Sequence, residues 1–468
     1  MKPEIKRGVL SLGLIIAIVL GGPLICSTPS TAAKKLDETS RFPNIIFIMA
    51  DDLGYGDLGC YGQKEIKTPH LDRMATEGTR FTQCYAGSTV CAPTRCVLMT
   101  GKHTGHARVR GNVGYTGPDR ERVLVPLLDE DLTVAEVLQE AGYATGAFGK
   151  WGLGEAETTG TPTRQGFDDW FGFLNQRHAH GFYPEYIWEN DSMLSLDGNL
   201  GGHQGEWIHD QFTDFALDFI RENRDGPFFL YAAYTIPHGR YEIPSDGPYT
   251  EKPWPQDVKN YAAMVTRLDA DVGKILALLN ELGIDENTVV FFTSDNGAEI
   301  TYFRRAKLID EYETILQSPG PFRGWKRDLT DGGIRVPMIA RWPGRIPANT
   351  TSDFVWAFWD FLPTAAALAG IDPPAGIDGI SVLPALLGQD QSGHEFLYWE
   401  FFERGFQQAV RYQDFKAIRA KRGYPLQLFE ITKDPREEND IAANHPLVIQ
   451  RIEEYLETAR SPSDFWPK

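Results

Sequence analysis

The chain is expected to fold as an α/β protein, a mostly parallel sheet flanked by helices in the manner of alkaline phosphatase, with a smaller C-terminal α+β subdomain. Three observations carry this expectation. Continuous apolar runs of strand length recur up to about residue 340, helical segments with recognisable ends lie between them, and beyond a Pro- and Gly-rich stretch the pattern changes to closely spaced short strands. The chain is long enough, since 468 residues with 42% hydrophobic and 12% aromatic content can bury a large core.

The runs at 45–50, 143–148, 228–234, 289–293 and 337–340 are uninterrupted rather than alternating, the pattern of strands buried on both faces. Among the helices, Thr68 is placed to cap one that opens on Pro69 and closes before Gly78. Thr133 and Glu136 form a capping box for another, closed by Gly142. The longest helix is predicted over 257–282, where Tyr261, Val265, Leu268, Val272, Ile275 and Leu279 repeat at helical spacing. Strand and helix alternate, which favours a parallel sheet with two covered faces. After 371–379, short antiparallel strands are expected at 396–401, 408–412, 415–419 and 427–429, then a helix over 446–459.

At the N-terminus, Lys2, Lys6 and Arg7 precede an apolar run at 9–20 that Gly21, Gly22 and Pro23 interrupt before Ser30, Thr31, Ala32 and Ala33. This pattern reads as a signal peptide, giving the divisions 1–33 signal, 34–385 catalytic domain and 386–468 C-terminal subdomain, and an exported, periplasmic or extracellular protein. A membrane anchor is the competing reading, because the apolar stretch up to Cys26 approaches the roughly 18 residues a spanning helix needs. Lipidation of Cys26 is a weaker one, with bulky Ile25 before it. Membrane contact is therefore expected only if this segment stays uncleaved or is lipidated. Lys and Arg number 46 against 64 Asp and Glu, a formal net charge of -18, which excludes non-specific attraction to nucleic acid. An anionic substrate must be met by locally clustered cations. Beyond Cys26, the cysteines are Cys60, Cys84, Cys91 and Cys96. They make no disulfide framework and no zinc spacing, and one bridge among Cys60, Cys84 and Cys96 stays open.

In open α/β sheets, ligands bind beyond the carboxyl ends of the strands. There the predicted strands deliver Asp51 and Asp52, Asp295 and Asn296, Lys150, and His238. Each alone reads as a turn or cap. Together, three carboxylates and a carboxamide oxygen call for a cation between them, and an all-oxygen set suits Ca²⁺ or Mg²⁺ rather than zinc.

Cys91-Ala92-Pro93-Thr94-Arg95, followed by Leu98 and Thr100-Gly101, resembles the signature of type I, arylsulfatase-like sulfatases of the alkaline-phosphatase superfamily, in which the cysteine becomes formylglycine. Thr94 stands where Ser is commonest. The resemblance extends through Asp51-Asp52-Leu53-Gly54, Thr68-Pro69-His70, Gly149-Lys150-Trp151, Pro237-His238, Ser294-Asp295-Asn296-Gly297 and Gly332-Gly333-Ile334-Arg335 to Leu428-Phe429. It implies hydrolysis of sulfate esters, with O-sulfated glycans the expected targets, after maturation by a formylglycine-generating or anaerobic sulfatase-maturing enzyme. Carried over residue by residue, it implies calcium on Asp51, Asp52, Asp295, Asn296 and modified Cys91. Arg95 would orient the formylglycine hydrate, Lys150 and Lys326 would hold sulfate oxygens, and His238 would protonate the departing alcohol. One hydroxyl of the hydrated aldehyde would attack sulfur and the other would later lose its proton to expel sulfate, which a plain serine could not do.

Gly152 departs from the family, many of whose members carry His there. His178 and His180, two apart in an assumed extended segment, would share one face beside aromatic residues and are assigned to substrate recognition of a galacto-configured sugar. Arg108, in the basic run 102–110, is the third substrate-binding candidate. The competing functions are a phosphomonoester or phosphonate-ester hydrolase of the same superfamily, and a catalytically silent protein that binds sulfated glycans.

Overall fold

The computed structural model describes residues 42–117 and 119–466, so the expected signal segment 1–33, with Cys26, lies outside the described residues. The strands are β1 Asn44–Ala50, β2 Thr79–Tyr85, β3 Gly114–Thr116, β4 Glu121–Val123, β5 Ala144–Lys150, β6 Asp169–Phe173, β7 Tyr186–Glu189, β8 Ser192–Ser195, β9 Phe228–Ala233, β10 Thr288–Ser294, β11 Arg335–Arg341, β12 Thr350–Ser352 and β13 Trp356–Ala357. All but the β3–β4 hairpin join an 11-stranded sheet of order β12-β2-β11-β10-β1-β9-β5-β6-β7-β8, with β13 alongside β2. Its five central strands, β10-β1-β9-β5-β6, are parallel. On either side β11 and β7 run antiparallel to their inner neighbours.

Every residue of β1 is buried. Ile45, Phe47 and Met49 enter one core while Ile46, Ile48 and Ala50 enter the other, so the continuous apolar run follows from coverage of both faces. Toward the edges this signal fades. β2 mixes buried and half-buried positions along Thr79–Tyr85, and it was not among the expected strands.

The helices that matter for the site are α1 Pro69–Glu77, α2 Cys91–Thr100, α3 Val134–Glu140, α4 Ile208–Glu222 and α5 Gln256–Glu281. α3 opens on the expected capping box: Glu136 N–H donates to Thr133 Oγ1 at 3.3 Å and Thr133 N–H to Glu136 Oε2 at 2.8 Å. At α1 the expectation is corrected. Thr68 makes no cap hydrogen bond to the helix; its hydroxyl accepts from Gly59 N–H and donates to Asp72. Asp269 of α5 instead accepts the N–H groups of His70 and Leu71, at 3.2 and 2.7 Å, so a tertiary contact satisfies the helix start.

In the C-terminal part, β14 Phe396–Phe401, β15 Gln407–Tyr412, β16 Phe415–Arg419 and β17 Gln427–Glu430 form an antiparallel sheet in chain order. Leu397, Trp399 and Phe401 face the main core, while Tyr398, Val410 and Ala417 face the helix Pro446–Leu456. Cys60, Cys84, Cys91 and Cys96 are all free, so the bridge left open by the sequence does not form. Among the described residues no helix is long and apolar enough to cross a membrane.

Candidate active site

The site begins with strand register. Ala50 pairs with Ser294, so β1 and β10 end at the same height and release Asp51 and Asp295 side by side. Asp295 N–H donates to Ala50 O at 3.0 Å, and Asp52 N–H to Asp295 Oδ1 at 3.1 Å. At Asp52 the backbone turns into the left-handed region, with φ of +67°. β5 ends on Lys150, and the chain leaving β9 reaches His238 a few residues later. α2 starts with Cys91 at this edge, its thiol 3.6 Å from Asp51 Oδ1.

Cations face these carboxylates at close range. Lys150 Nζ donates to Asp51 Oδ2 at 2.6 Å, and Lys326 Nζ to Asp52 Oδ1 at 2.6 Å while also lying 3.3 Å from Cys91 Sγ. Arg95, fully buried, donates to Asp295 Oδ2 at 2.9 Å and to the Lys150 carbonyl at 2.7 Å, tying α2 to the ends of β10 and β5. His238 donates from Nδ1 to the Gly239 carbonyl, which leaves Nε2 as the free ring nitrogen. That atom stands 3.4 Å from Asp52 Oδ2 without supplying it a proton.

Burial sets the protonation states, modified by these neighbours. It would raise Asp51, but Lys150, His238, Arg95 and Lys326 hold that carboxyl well below the usual range. Asp52 is raised by burial despite Lys326. Burial and the charge of Asp51 push Asp295 up to about 7. The Cys91 thiol is pushed up to about 12 by burial and Asp51, so it is no thiolate nucleophile at neutral pH. Burial and Lys326 depress His238 to about 3. Burial opposes the charged forms of Lys150 and Lys326, yet Asp51 and Asp52 keep both above the usual lysine range.

Two oxygens in the middle of this cluster, Asp52 Oδ2 and Asn296 Oδ1, are buried and accept no hydrogen bond. Asn296 turns its Nδ2 to Asp52 Oδ1 at 2.8 Å, which leaves its carbonyl oxygen free. Buried polar atoms are almost always paired, so two open oxygens set among carboxylates are suited to act as donors to a cation. With Asp51 and Asp295 they form an oxygen donor set that fits a hard divalent cation.

A cleft of about 570 Å³ opens over Cys91, His180, His238 and Lys326, within the range of small-ligand sites. The structure separates the three substrate-binding candidates. His178 and His180 lie in a short 3-10 helix, not an extended segment, so their spacing turns them apart. His180 lines the cleft and stacks on His238 with ring centroids 4.2 Å apart. His178 instead packs on Phe173 and Tyr186, which corrects its assignment. Arg108 is corrected too: it donates to the Pro126 carbonyl at 2.9 Å, lies 3.5 Å from Asp131, and is not a cleft residue. Sequence reasoning missed Asn112, Arg122 and Gln176, which line the cleft from the β3–β4 region and from beyond β6. Only the departure at Gly152 hinted at the last of these.

Comparison with known proteins gives consistent results. A family model described as Sulfatase matches residues 43–371, and one described as N-sulphoglucosamine sulphohydrolase, C-terminal, matches residues 323–461. An N-acetylgalactosamine-6-sulfatase of Canis lupus familiaris is 35% identical over 378 residues, 76% of this chain and 68% of that one. An N-acetylgalactosamine-6-O-sulfatase of Bacteroides thetaiotaomicron is 28% identical over 526 residues, covering 96% of this chain and 99% of that one. Among solved structures, Ps i-CgsB in complex with k-i-k-neocarrahexaose superposes with a TM-score of 0.75 at 28% identity, over 90% of this chain and 94% of that one.

Proposed function

This chain belongs to the sulfatase family and hydrolyses sulfate esters, and we propose that it acts on sulfated glycans through a formylglycine made from Cys91 and a calcium ion. The observation that carries the cofactor reading is the pair of unpartnered buried oxygens, Asp52 Oδ2 and Asn296 Oδ1, beside Asp51 and Asp295. Asp51, Asp52, Asp295 and Asn296 would hold the ion, with an oxygen at residue 91 joining them. When bound, calcium would supply charge neutralisation and polarisation of oxygen, and the formylglycine hydrate a hydroxyl nucleophile.

The chain's own groups then have distinct tasks. Lys150 and Lys326 reach the nucleophile's surroundings from two sides and are placed to bind sulfate oxygens. Arg95 fixes the first turn of α2 against the strand ends and so holds residue 91 in place. His238 exposes Nε2, the atom that would carry a proton to the departing alcohol oxygen. An anionic ester beside Lys326 offsets the positive charge that depresses this imidazole in the free site, and so makes protonation easier.

The cleft volume, His180 at its wall and the names of the similar proteins support a sugar substrate, with N-acetylgalactosamine 6-sulfate units the first to test. The apolar N-terminal run supports export to the periplasm or beyond. Mass spectrometry of the peptide containing Cys91 should show sulfur and two hydrogens exchanged for one oxygen, with sulfate released from a sulfated-glycan panel. Sustained turnover by protein whose Cys91 is wholly unmodified, or by the Cys91→Ser variant, would discard the formylglycine.

A further inference from the structure

Gly152 lacks the side chain expected there, and Gln176 occupies the room. β5 and β6 keep pairing beyond their ends, Trp151 N–H donating to Phe173 O and Gly152 N–H to Leu174 O, both at 3.0 Å. Gln176, two residues further on, lays its side chain against Gly152. A Cβ built on Gly152 would stand 1.7 Å from Gln176 Nε2 and 2.6 Å from its amide carbon, and the φ of +80° at Gly152 disfavours any other residue. Glycine at 152 and glutamine at 176 are therefore one device, in which a side chain missing from one strand admits one from its neighbour.

Gln176 is only 9% exposed, and neither its Oε1 nor its Nε2 has a hydrogen-bond partner among the described residues. Leaving both halves of a carboxamide desolvated and unpaired is unfavourable, so the group awaits a partner. It lines the same cleft as Cys91, His180, His238 and Lys326, and with Asn112 it borders a side cavity of about 50 Å³ next to Gly152. Sulfate oxygens accept hydrogen bonds only. They suit the lysine ammonium groups, whereas the amide carbonyl would face them lone pair to lone pair. A hydroxyl both donates and accepts, and a carboxamide answers it in both senses.

We propose that Gln176 reads a hydroxyl on the same sugar ring as the sulfate ester, the 4-hydroxyl of an N-acetylgalactosamine 6-sulfate unit, and is a specificity-determining residue of this enzyme. The inference rests on the reading of the chain as a glycan sulfatase. A carboxamide takes up no proton at neutral pH, so Gln176 orients the substrate and leaves proton transfer to His238.

The test is a cycle between protein and substrate, measured as kcat/KM. The substrates are the methyl glycoside of N-acetylgalactosamine 6-sulfate and its 4-deoxy analogue; the proteins are the wild type and Gln176→Leu, which keeps the size and removes the polar atoms. The wild type should lose at least tenfold on the deoxy compound. Gln176→Leu should lose at least tenfold on the parent glycoside, yet no more than a further twofold on the deoxy one, because hydroxyl and carboxamide form a single interaction. Independent losses that multiply would overturn the assignment, as would full activity of Gln176→Leu on the parent, which would make Gln176 a packing residue or the holder of a water. The wild-type half of the cycle stands even if the variant fails to fold: equal rates on the two glycosides defeat the proposal and leave the glycan reading intact. A wild type that cleaves a small aryl sulfate but neither glycoside removes this substrate reading, and the proposal with it.

Discussion

At the carboxyl edge of the main sheet, Asp51, Asp52 and Asp295 face Lys150, Lys326 and Arg95; between the two sheets, Asp331 and Glu437 face Lys416 and Arg335. Both sets are buried or nearly so, and both mix charges of opposite sign. Between the sheets, protein atoms meet both oxygens of Asp331: Lys416 Nζ reaches Oδ1 at 2.7 Å, while Arg335 Nη1 and Tyr85 OH reach Oδ2 at 3.1 and 3.2 Å. Glu437 Oε2 in turn accepts Asp331 N–H at 2.6 Å. At the sheet edge, Asp52 Oδ2 and Asn296 Oδ1 accept no hydrogen bond, and His238 Nε2, 3.4 Å from Asp52 Oδ2, has no proton to give. Once Asp52 and Asp295, both raised by burial, are ionised, three carboxylates balance three cations there, and an added divalent ion would leave an excess of two positive charges to meet an anionic ester and its sulfate product. The difference teaches that a buried carboxylate whose open oxygen still faces a cation, as Glu437 Oε1 faces Lys416 Nζ at 3.1 Å, is architecture, while open oxygens that face no cation are suited to a ligand.

Four experiments press on that contrast. The largest effect is expected for Asp295→Asn, which should lower kcat/KM by a factor on the order of 10³. In differential scanning fluorimetry, calcium should raise the Tm of the wild type and leave that of this variant unchanged. A variant that retained both would break the comparison at its open end. Lys416→Met should do the reverse, destabilising the fold by about 3 kcal/mol, because two carboxylates lose their buried partner, while the folded fraction keeps its kcat. Denaturant titration alongside active-fraction kinetics separates the two effects.

A pH titration sharpens the architectural side. His103 lies in the seam against Trp359 and Tyr398, and burial holds its pKa down to about 4 although Asp378 pulls the other way. The folded value lies below the unfolded one of roughly 6.5, so between these pH values the unfolded chain binds the extra proton. This contribution is complete above about pH 6.5 and declines as pH falls toward 4, by about 3 kcal/mol. Urea melts at stepped pH should show that slope, and His103→Gln should flatten it. The smallest effects belong to residues outside the cleft: Arg108→Ala and His178→Ala should each change kcat/KM less than about threefold, against roughly tenfold for His180→Ala. A larger loss from Arg108→Ala with an unchanged melt would return that residue to the site.

What the sequence could disclose follows from how local each signal is. Asp51 and Asp52, Asp295 and Asn296, and Lys150 were readable because each directly ends a strand whose apolar run is unmistakable, and strand ends in such sheets gather at one edge. The four C-terminal strands were readable for a related reason, since short hairpin strands alternate along their own sequence. β2, β7 and β8 were not, because nearer the sheet edges the apolar run breaks up, and β6 was not because its buried run, 170–173, is only four residues long. His178 and His180 misled because a period of two means one face only in an extended chain. Gln176 was beyond local reading altogether: its meeting with Gly152 depends on the register of β5 with β6 and on an absent side chain.

The depth of Cys91 bears on how the enzyme is made. Its residue is 2% exposed in the first turn of a helix whose ten residues are all buried, pinned through Arg95 to two strands. On the proposed formylglycine reading, a maturing enzyme that must grip Cys91-Ala92-Pro93-Thr94-Arg95 would find no handle on the finished fold. Conversion would then have to come first, on a nascent or still unfolded chain, in a window that closes when α2 docks. A molecule that folded too soon would keep its thiol, and only unfolding would give it a second chance. Slowing the folding of this one helix would raise the active fraction without altering a single contact in the mature site.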